Sequence, residues 1–181
     1  MNRMAIRSAC LALGICAFSS ANAADDGRLV TEIRGGVMAH DQGIFSSHKE
    51  SGVDINGEIL LNNWGWLGKK IELRPHFGAT FNTDGNTSFG YFGLTATAPV
   101  GRFLFAEASF GGAVHSGNLE ENQIGHKDLG CRVLFRESLG FGARLDEHSS
   151  IMATADHISN ANFCGKNEGL ETVGVRYGYR F

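Results

Sequence analysis

Hydrophobic and polar residues alternate one by one over much of the chain, at the period of two that puts successive side chains on opposite faces of a β-strand. The pattern is clearest from Ile71 to Phe81. Ile71, Leu73, Pro75, Phe77, Ala79 and Phe81 share one face, and Glu72, Arg74, His76, Gly78 and Thr80 share the other. Val53, Ile55, Ile59 and Leu61 alternate with Asp54, Asn56 and Glu58 in the same way. Val133, Phe135, Leu139 and Phe141 do so with Arg132, Arg136, Ser138, Gly140, Gly142 and Arg144, and Glu137 alone breaks the apolar row. The last segment puts Val173, Val175, Tyr177, Tyr179 and Phe181 on one face. Turn signals divide the chain into eight such segments, at 28–39, 51–62, 70–82, 87–98, 102–114, 131–144, 149–159 and 169–181. The pattern predicts an all-β fold of eight antiparallel strands.

An even number of strands of this length suits a transmembrane β-barrel of the smallest class, which needs about 9–11 tilted residues per strand. Closure pairs every backbone group, as lipid requires. The connections alternate in length: Ala98-Pro99-Val100-Gly101 and Leu145-Asp146-Glu147-His148 are short, whereas 40–50, 115–130 and 160–168 are long. Short periplasmic turns and longer outer loops give that alternation, with both termini in the periplasm. Trp64 and Trp66 fall at a periplasmic turn, where an aromatic girdle belongs. The inward face holds Glu32, Asp54, Glu58, Glu72 and Glu107, with Arg34, Arg74, Arg132, Arg136, Arg144, Arg176 and Arg180. Side chains fill the interior of an eight-stranded barrel, so these charges are expected to form a salt-bridged plug rather than a pore.

Composition adds a compartment. Arg3 and Arg7, the apolar run from Ala9 to Phe18, and Ala21-Asn22-Ala23 read as a secretory signal peptide over 1–23, leaving 24–181 as one barrel domain. The leader takes two of the 16 basic residues and none of the 19 acidic ones, so the mature net charge is −5. No basic run points to nucleic acid. The 25 glycines, 13 phenylalanines and two prolines suit a membrane barrel and a soluble periplasmic β-protein alike; periodicity favours the barrel. The mature chain keeps Cys131 and Cys164, both at the expected outer end, where a disulfide and two free thiols are equally open. No His/Cys/Asp cluster has the spacing of a metal site, and no cofactor is expected.

The candidate chemistry lies between the last two strands. Ile151, Ala153, Ala155, His157 and Ser159 share one parity, and the three apolar members make it the lipid face. Glu171 shares the parity of Val173, Val175 and Tyr177, again the lipid face. Polar residues there are costly, and intramembrane ionisable groups are functional candidates by default. His157 and Ser159 are two apart on one strand, about 6.6–6.8 Å between Cα atoms. A hairpin turning about Cys164 sets Glu171 opposite His157, with Cβ atoms about 4.5–5.5 Å apart. Histidine then has a serine along its own strand and a carboxylate across the hairpin, the order a Ser-His-Glu triad needs. Asn160 follows the serine and is a candidate oxyanion donor, through its side chain or its backbone.

His157-x-Ser159-Asn160-Ala161, then Asn167-x-Gly169 and Glu171, resembles the C-terminal signature of PagL-type lipid A 3-O-deacylases, with Glu fourteen residues after His. The aromatic C-terminal residue Phe181 resembles the terminal strand of outer-membrane barrels. Ile158 departs from the family pattern, where an aromatic residue stands between His and Ser, and the loop 162–166 diverges. The resemblance implies an eight-stranded outer-membrane enzyme that hydrolyses the 3-hydroxyacyl ester at the 3-position of lipid A. Ser159 would be nucleophile, His157 base, Glu171 orienting acid and Asn160 the oxyanion residue, at the outer-leaflet side. It also implies lipopolysaccharide as substrate and contact with outer-membrane lipids, and it is compatible with a homodimer without requiring one.

Two rivals stand beside this reading. One is a non-enzymatic small barrel of the adhesin or structural kind, with His157 and Ser159 merely hydrogen-bonded at the interface. The other is a barrel acyltransferase on the same lipid. Among the remaining histidines, His40, His48, His115, His126 and His148 are expected in solvated loops and strand ends, and His76 in the lumen network. His115-Ser116 lacks a parity-matched acid, and the even parity of Glu168 turns it away from His157.

Overall fold

The computed structural model describes residues 27–43, 49–120 and 126–181. The leader expected over 1–23 and His48 lie outside the described residues. Eight long strands form the wall: β1 (Val30–Ala39), β2 (Val53–Leu61), β4 (Ile71–Asn82), β5 (Phe89–Val100), β6 (Leu104–His115), β7 (Val133–Arg144), β8 (Ser149–Ser159) and β9 (Leu170–Arg180). A three-residue strand, β3 (Gly65–Leu67), pairs with the start of β4 and was not expected from periodicity. It is too short to show alternation, and it carries Trp66 in the turn between β2 and β4.

Every long strand is antiparallel to its neighbours in sequence, and two further pairings, β2 with β4 and β1 with β9, complete the circuit. The sheet is therefore a closed barrel with no free edge along its wall, the arrangement a lipid environment demands. Outward residues are apolar and exposed, among them Val37, Ile55, Phe77, Phe92, Phe110, Leu139, Val175 and Tyr177. The turn after β5 is tight, with Gly101 at φ 75°, a conformation glycine adopts without strain.

The lumen is a charged plug. Arg34 donates to Glu32 at 2.6 Å, to Glu58 at 3.2 Å and in a two-pronged contact to Glu107 at 2.7 and 2.9 Å. Arg74 reaches Glu32 at 2.6 Å. Arg136 and Arg176 share Asp156 at 3.0 and 2.6 Å, and Arg136 lies over the Tyr91 ring. Arg180 pairs with Glu72 at 2.7 Å near the end where β1 begins and β9 finishes. The guanidiniums of Arg34, Arg74, Arg136 and Arg176 are buried and matched by carboxylates, so removing one member of these pairs would strand a buried charge at a cost of about 3–5 kcal/mol. Arg132 departs from the expected plug. It stands just before β7, is exposed, and donates to the carbonyls of His115 and Gly117, because strand parity does not extend past the end of the ladder.

The far end of the barrel is capped by its loops. Phe89, Tyr91, Ala113, Leu134, Ile158 and Leu170 form an apolar cluster inside the barrel, roofed by Leu129. Beside it, Glu50 accepts from His40 Nε2, the Thr87 and Lys127 backbone N–H groups and the Thr87 hydroxyl. His40 Nδ1 meets Asp54 at 2.8 Å, and Lys127 Nζ meets Asp41 at 3.1 Å. His40 and His115 are thus buried rather than solvated as expected; His115 Nε2 is bonded to the Cys131 carbonyl at 2.6 Å. Loop packing that parity does not describe buries both. His76 lies in the lumen network as expected, bonded to Thr95.

Candidate active site

The β8–β9 hairpin sets His157 directly opposite Glu171, and β7–β8 pairing sets Glu137 opposite His157 on the other side. All three project from the outer face, at the capped end. His157 Nδ1 lies 3.4 Å from Glu171 Oε1, with side chains 31% and 11% exposed. The contact is a close approach and not a hydrogen bond: Nδ1 has no hydrogen-bond partner among the described residues. Ser159 follows on the same face, opposite Phe135. No hydrogen bond joins its hydroxyl to His157 among the described residues.

A groove of about 650 Å³ opens here on the membrane-facing wall. His157, Glu137, Glu171 and Gln42 supply its polar part, and Leu139, Ala155 and Val173 continue it along the barrel. Ser159 is outside that lining, one pleat further toward the loops. The loop after β1 closes one side. Gln42 donates its backbone N–H to the Glu171 carbonyl at 3.0 Å and its side-chain amide to the His40 carbonyl at 2.9 Å. Gly43 packs so closely on Glu171 that a Cβ there would coincide with the carboxylate.

Asn160 turns inward and is 2% exposed. Its side-chain amide donates to the Leu129 carbonyl at 2.8 Å and to the Lys166 carbonyl, and its backbone N–H donates to Asn167 Oδ1 at 3.0 Å. Both routes by which Asn160 was expected to donate are thus engaged in building the turn. Ala161 and Asn162, which follow, have φ of 52° and 63°. Glu168 accepts from the Asp128 N–H at 2.8 Å, away from His157. Cys131 and Cys164 form a disulfide with Cα atoms 5.8 Å apart, which ties this loop to the segment before β7. Ile158 is buried in the apolar cluster, so its departure from an aromatic residue faces the barrel interior and not the groove.

The family model for lipid A 3-O-deacylase (PagL) matches residues 46–180. The chain belongs to this family. The lipid A deacylase PagL of Bordetella bronchiseptica is 29% identical over 159 residues, covering 82% of this chain and 84% of that one. The lipid A deacylase PagL of Pseudomonas aeruginosa is 32% identical over 73 residues, 40% of each chain. The crystal structure of the outer membrane enzyme PagL superposes with a TM-score of 0.63 at 22% identity, over 83% of this chain and 99% of that one. The N-terminal β-barrel domain of Pseudomonas aeruginosa OprF matches at 0.51 and 16%, over 85% of this chain and 98% of that one, a likeness of fold. As a PagL family member the chain is an outer-membrane barrel and an ester hydrolase, which goes against the non-enzymatic barrel.

Two features of the site escaped sequence reasoning. Glu137 was visible as a break in parity, but only the strand register puts it beside His157. The contact of Gly43 with Glu171 has no sequence signal, since it joins a loop to a strand more than a hundred residues away.

Proposed function

We propose that this chain hydrolyses the 3-hydroxyacyl ester at the 3-position of lipid A, with Ser159 as nucleophile, His157 as base and Glu171 as the acid that orients it. The observation that carries the reading is the 3.4 Å approach of Glu171 to His157 on a membrane-facing groove, with Ser159 next along the same face. A serine hydroxyl is a weak nucleophile until a base removes its proton, and a carboxylate on the far ring nitrogen holds the imidazole in the useful tautomer. With Nδ1 turned to Glu171, Nε2 is the nitrogen left to receive the Ser159 proton.

Ser159 Oγ attacks the ester carbonyl, forming a tetrahedral oxyanion. Ala161 and Asn162, two and three residues after Ser159 in a left-handed turn, carry backbone N–H groups with no hydrogen bond among the described residues. They are the donors we assign to that oxyanion. Asn160 then serves by holding the turn. The sugar oxygen leaves with the proton from His157, and Ser159 keeps the acyl chain. Water, deprotonated by His157, attacks the acyl-enzyme and releases a 3-hydroxy fatty acid.

The site lies at the end opposite the start of β1 and the finish of β9, and we assign that end to the outer leaflet, where lipid A resides. Mass spectrometry of lipid A from cells producing the wild type or Ser159→Ala tests the reading. Loss of one 3-hydroxyacyl mass with the wild type alone is the expected result. Unchanged lipid A beside a folded wild type overturns it.

A further inference from the structure

Glu137 is an exposed carboxylate on the outward face of β7, between Phe135 and Leu139, both exposed and apolar. Among the described residues it has neither an ion pair nor a hydrogen bond. A charge in a lipid-facing row is unfavourable, less so near the interface than at the midplane, and nothing in the barrel offsets it. Its position is specific all the same: it is the direct cross-strand partner of His157, and it lines the groove with His157 and Glu171.

The reacting ester must come to His157 Nε2 and Ser159, on the side of the imidazole away from Glu171. Glu137 is opposite His157 and diagonal to Ser159, since Phe135 is the residue opposite Ser159. Diagonal neighbours are about 7–8 Å apart, within reach of a long side chain through a substrate group lying between them. An ionised carboxylate only accepts hydrogen bonds, so its counterpart must be a donor close to the scissile carbonyl. The ester has none. The hydroxyl two carbons along the acyl chain is such a donor, and it moves with the carbonyl whatever the headgroup does.

We propose that Glu137 is the specificity residue for the acyl group, accepting a hydrogen bond from the 3-hydroxyl of the chain being cleaved. This rests on the deacylase reading above. A site built to pair a substrate hydroxyl rejects the analogue that lacks it, because the carboxylate would then be desolvated without a partner. The enzyme thereby selects a free 3-hydroxyacyl ester over an unsubstituted one and over one whose hydroxyl is itself acylated.

The test uses the full refolded barrel in detergent and two synthetic esters that differ only in the 3-hydroxyl. The wild type is expected to favour the hydroxyacyl ester in kcat/KM by roughly 10- to 100-fold. Glu137→Leu, which suits a lipid-facing position, is expected to bring the two esters within about threefold, mainly by losing rate on the hydroxyacyl one. Glu137→Gln keeps an acceptor oxygen and should retain part of the preference. Heat-dependent gel mobility verifies that each variant is folded. The same ratio in Glu137→Leu as in the wild type, or an equal loss on both esters, overturns the assignment and leaves the deacylase reading intact. A wild type no faster than Ser159→Ala on either ester overturns that reading and the assignment with it.

Discussion

Glu171 Oε1 approaches His157 Nδ1 to 3.4 Å across the β8–β9 ladder, on the face of the barrel that meets lipid. The pair is held by strand register rather than by a loop, so its geometry is as rigid as the wall. Glu171→Gln keeps the size and removes the charge proposed to stabilise imidazolium. Its kcat for lipid A is expected to fall about 100- to 10,000-fold, less than the loss in His157→Ala. A fall under about tenfold in a folded barrel would move the orienting role to the other carboxylate beside His157, Glu137.

Gly43 sets how closely the loop after β1 covers Glu171. Any side chain there must displace the carboxylate, since a Cβ would occupy its position. A displacement of about 1 Å at a catalytic group costs on the order of 100-fold in rate. Gly43→Ala is expected to lower kcat by that order while leaving the thermal midpoint and KM near wild type. Steady-state kinetics beside a thermal melt separate this from unfolding: a melt lowered in step with activity would make Gly43 a structural glycine only.

The Cys131–Cys164 disulfide joins the loop after Ser159 to the segment before β7, closing 33 residues of sequence. The same two segments are also joined by Asn160 to the Leu129 carbonyl and by Glu168 to the Asp128 N–H. Native disulfides contribute roughly 2–4 kcal/mol. Cys131→Ser with Cys164→Ser is therefore expected to inactivate at lower temperature while retaining most activity at 20–25 °C. Residual activity after graded heating measures this, and an unshifted inactivation curve would make the bridge dispensable.

Much of this arrangement was legible in the chain because lipid outside and charge inside impose a strict period of two. Ile71 to Phe81 shows that period without a break, and the observed β4 spans Ile71–Asn82. The same rule put His157 and Glu171 on one face, and a hairpin turning about Cys164 sets them opposite one another, the register observed. It failed where the ladder stops. Arg132 stands one residue before β7 and faces solvent, and His40 stands one residue after β1 and is buried under the loops. Asn160 likewise lies just past β8, and the loop carbonyls it meets belong to segments whose packing no local pattern encodes.

His40 makes the loop cap responsive to pH. Burial opposes its charge, but hydrogen bonds to Asp54 and Glu50 outweigh that and raise it to about 9. Glu50 is likewise disfavoured by burial, yet bonds from His40, from the Lys127 and Thr87 N–H groups and from the Thr87 hydroxyl lower it to about 2. Asp41 and Lys127 pair beside them, and His126 approaches Glu50 at 3.7 Å. A raised histidine contributes stability that is complete below its ordinary value near 6.5 and is lost as pH rises through about 9. A lowered carboxylate contributes stability that is complete above 4.5 and is lost as pH falls through about 2. The cap is thus held most firmly between those ordinary values. Because Gln42 ties the His40 carbonyl to Glu171, loosening the cap at high pH should also loosen the site. The thermal midpoint of the refolded barrel is expected to fall from pH 6.5 to 9 in the wild type and to change less in His40→Asn. Parallel curves for the two proteins across that window would show that His40 carries no proton-linked stability.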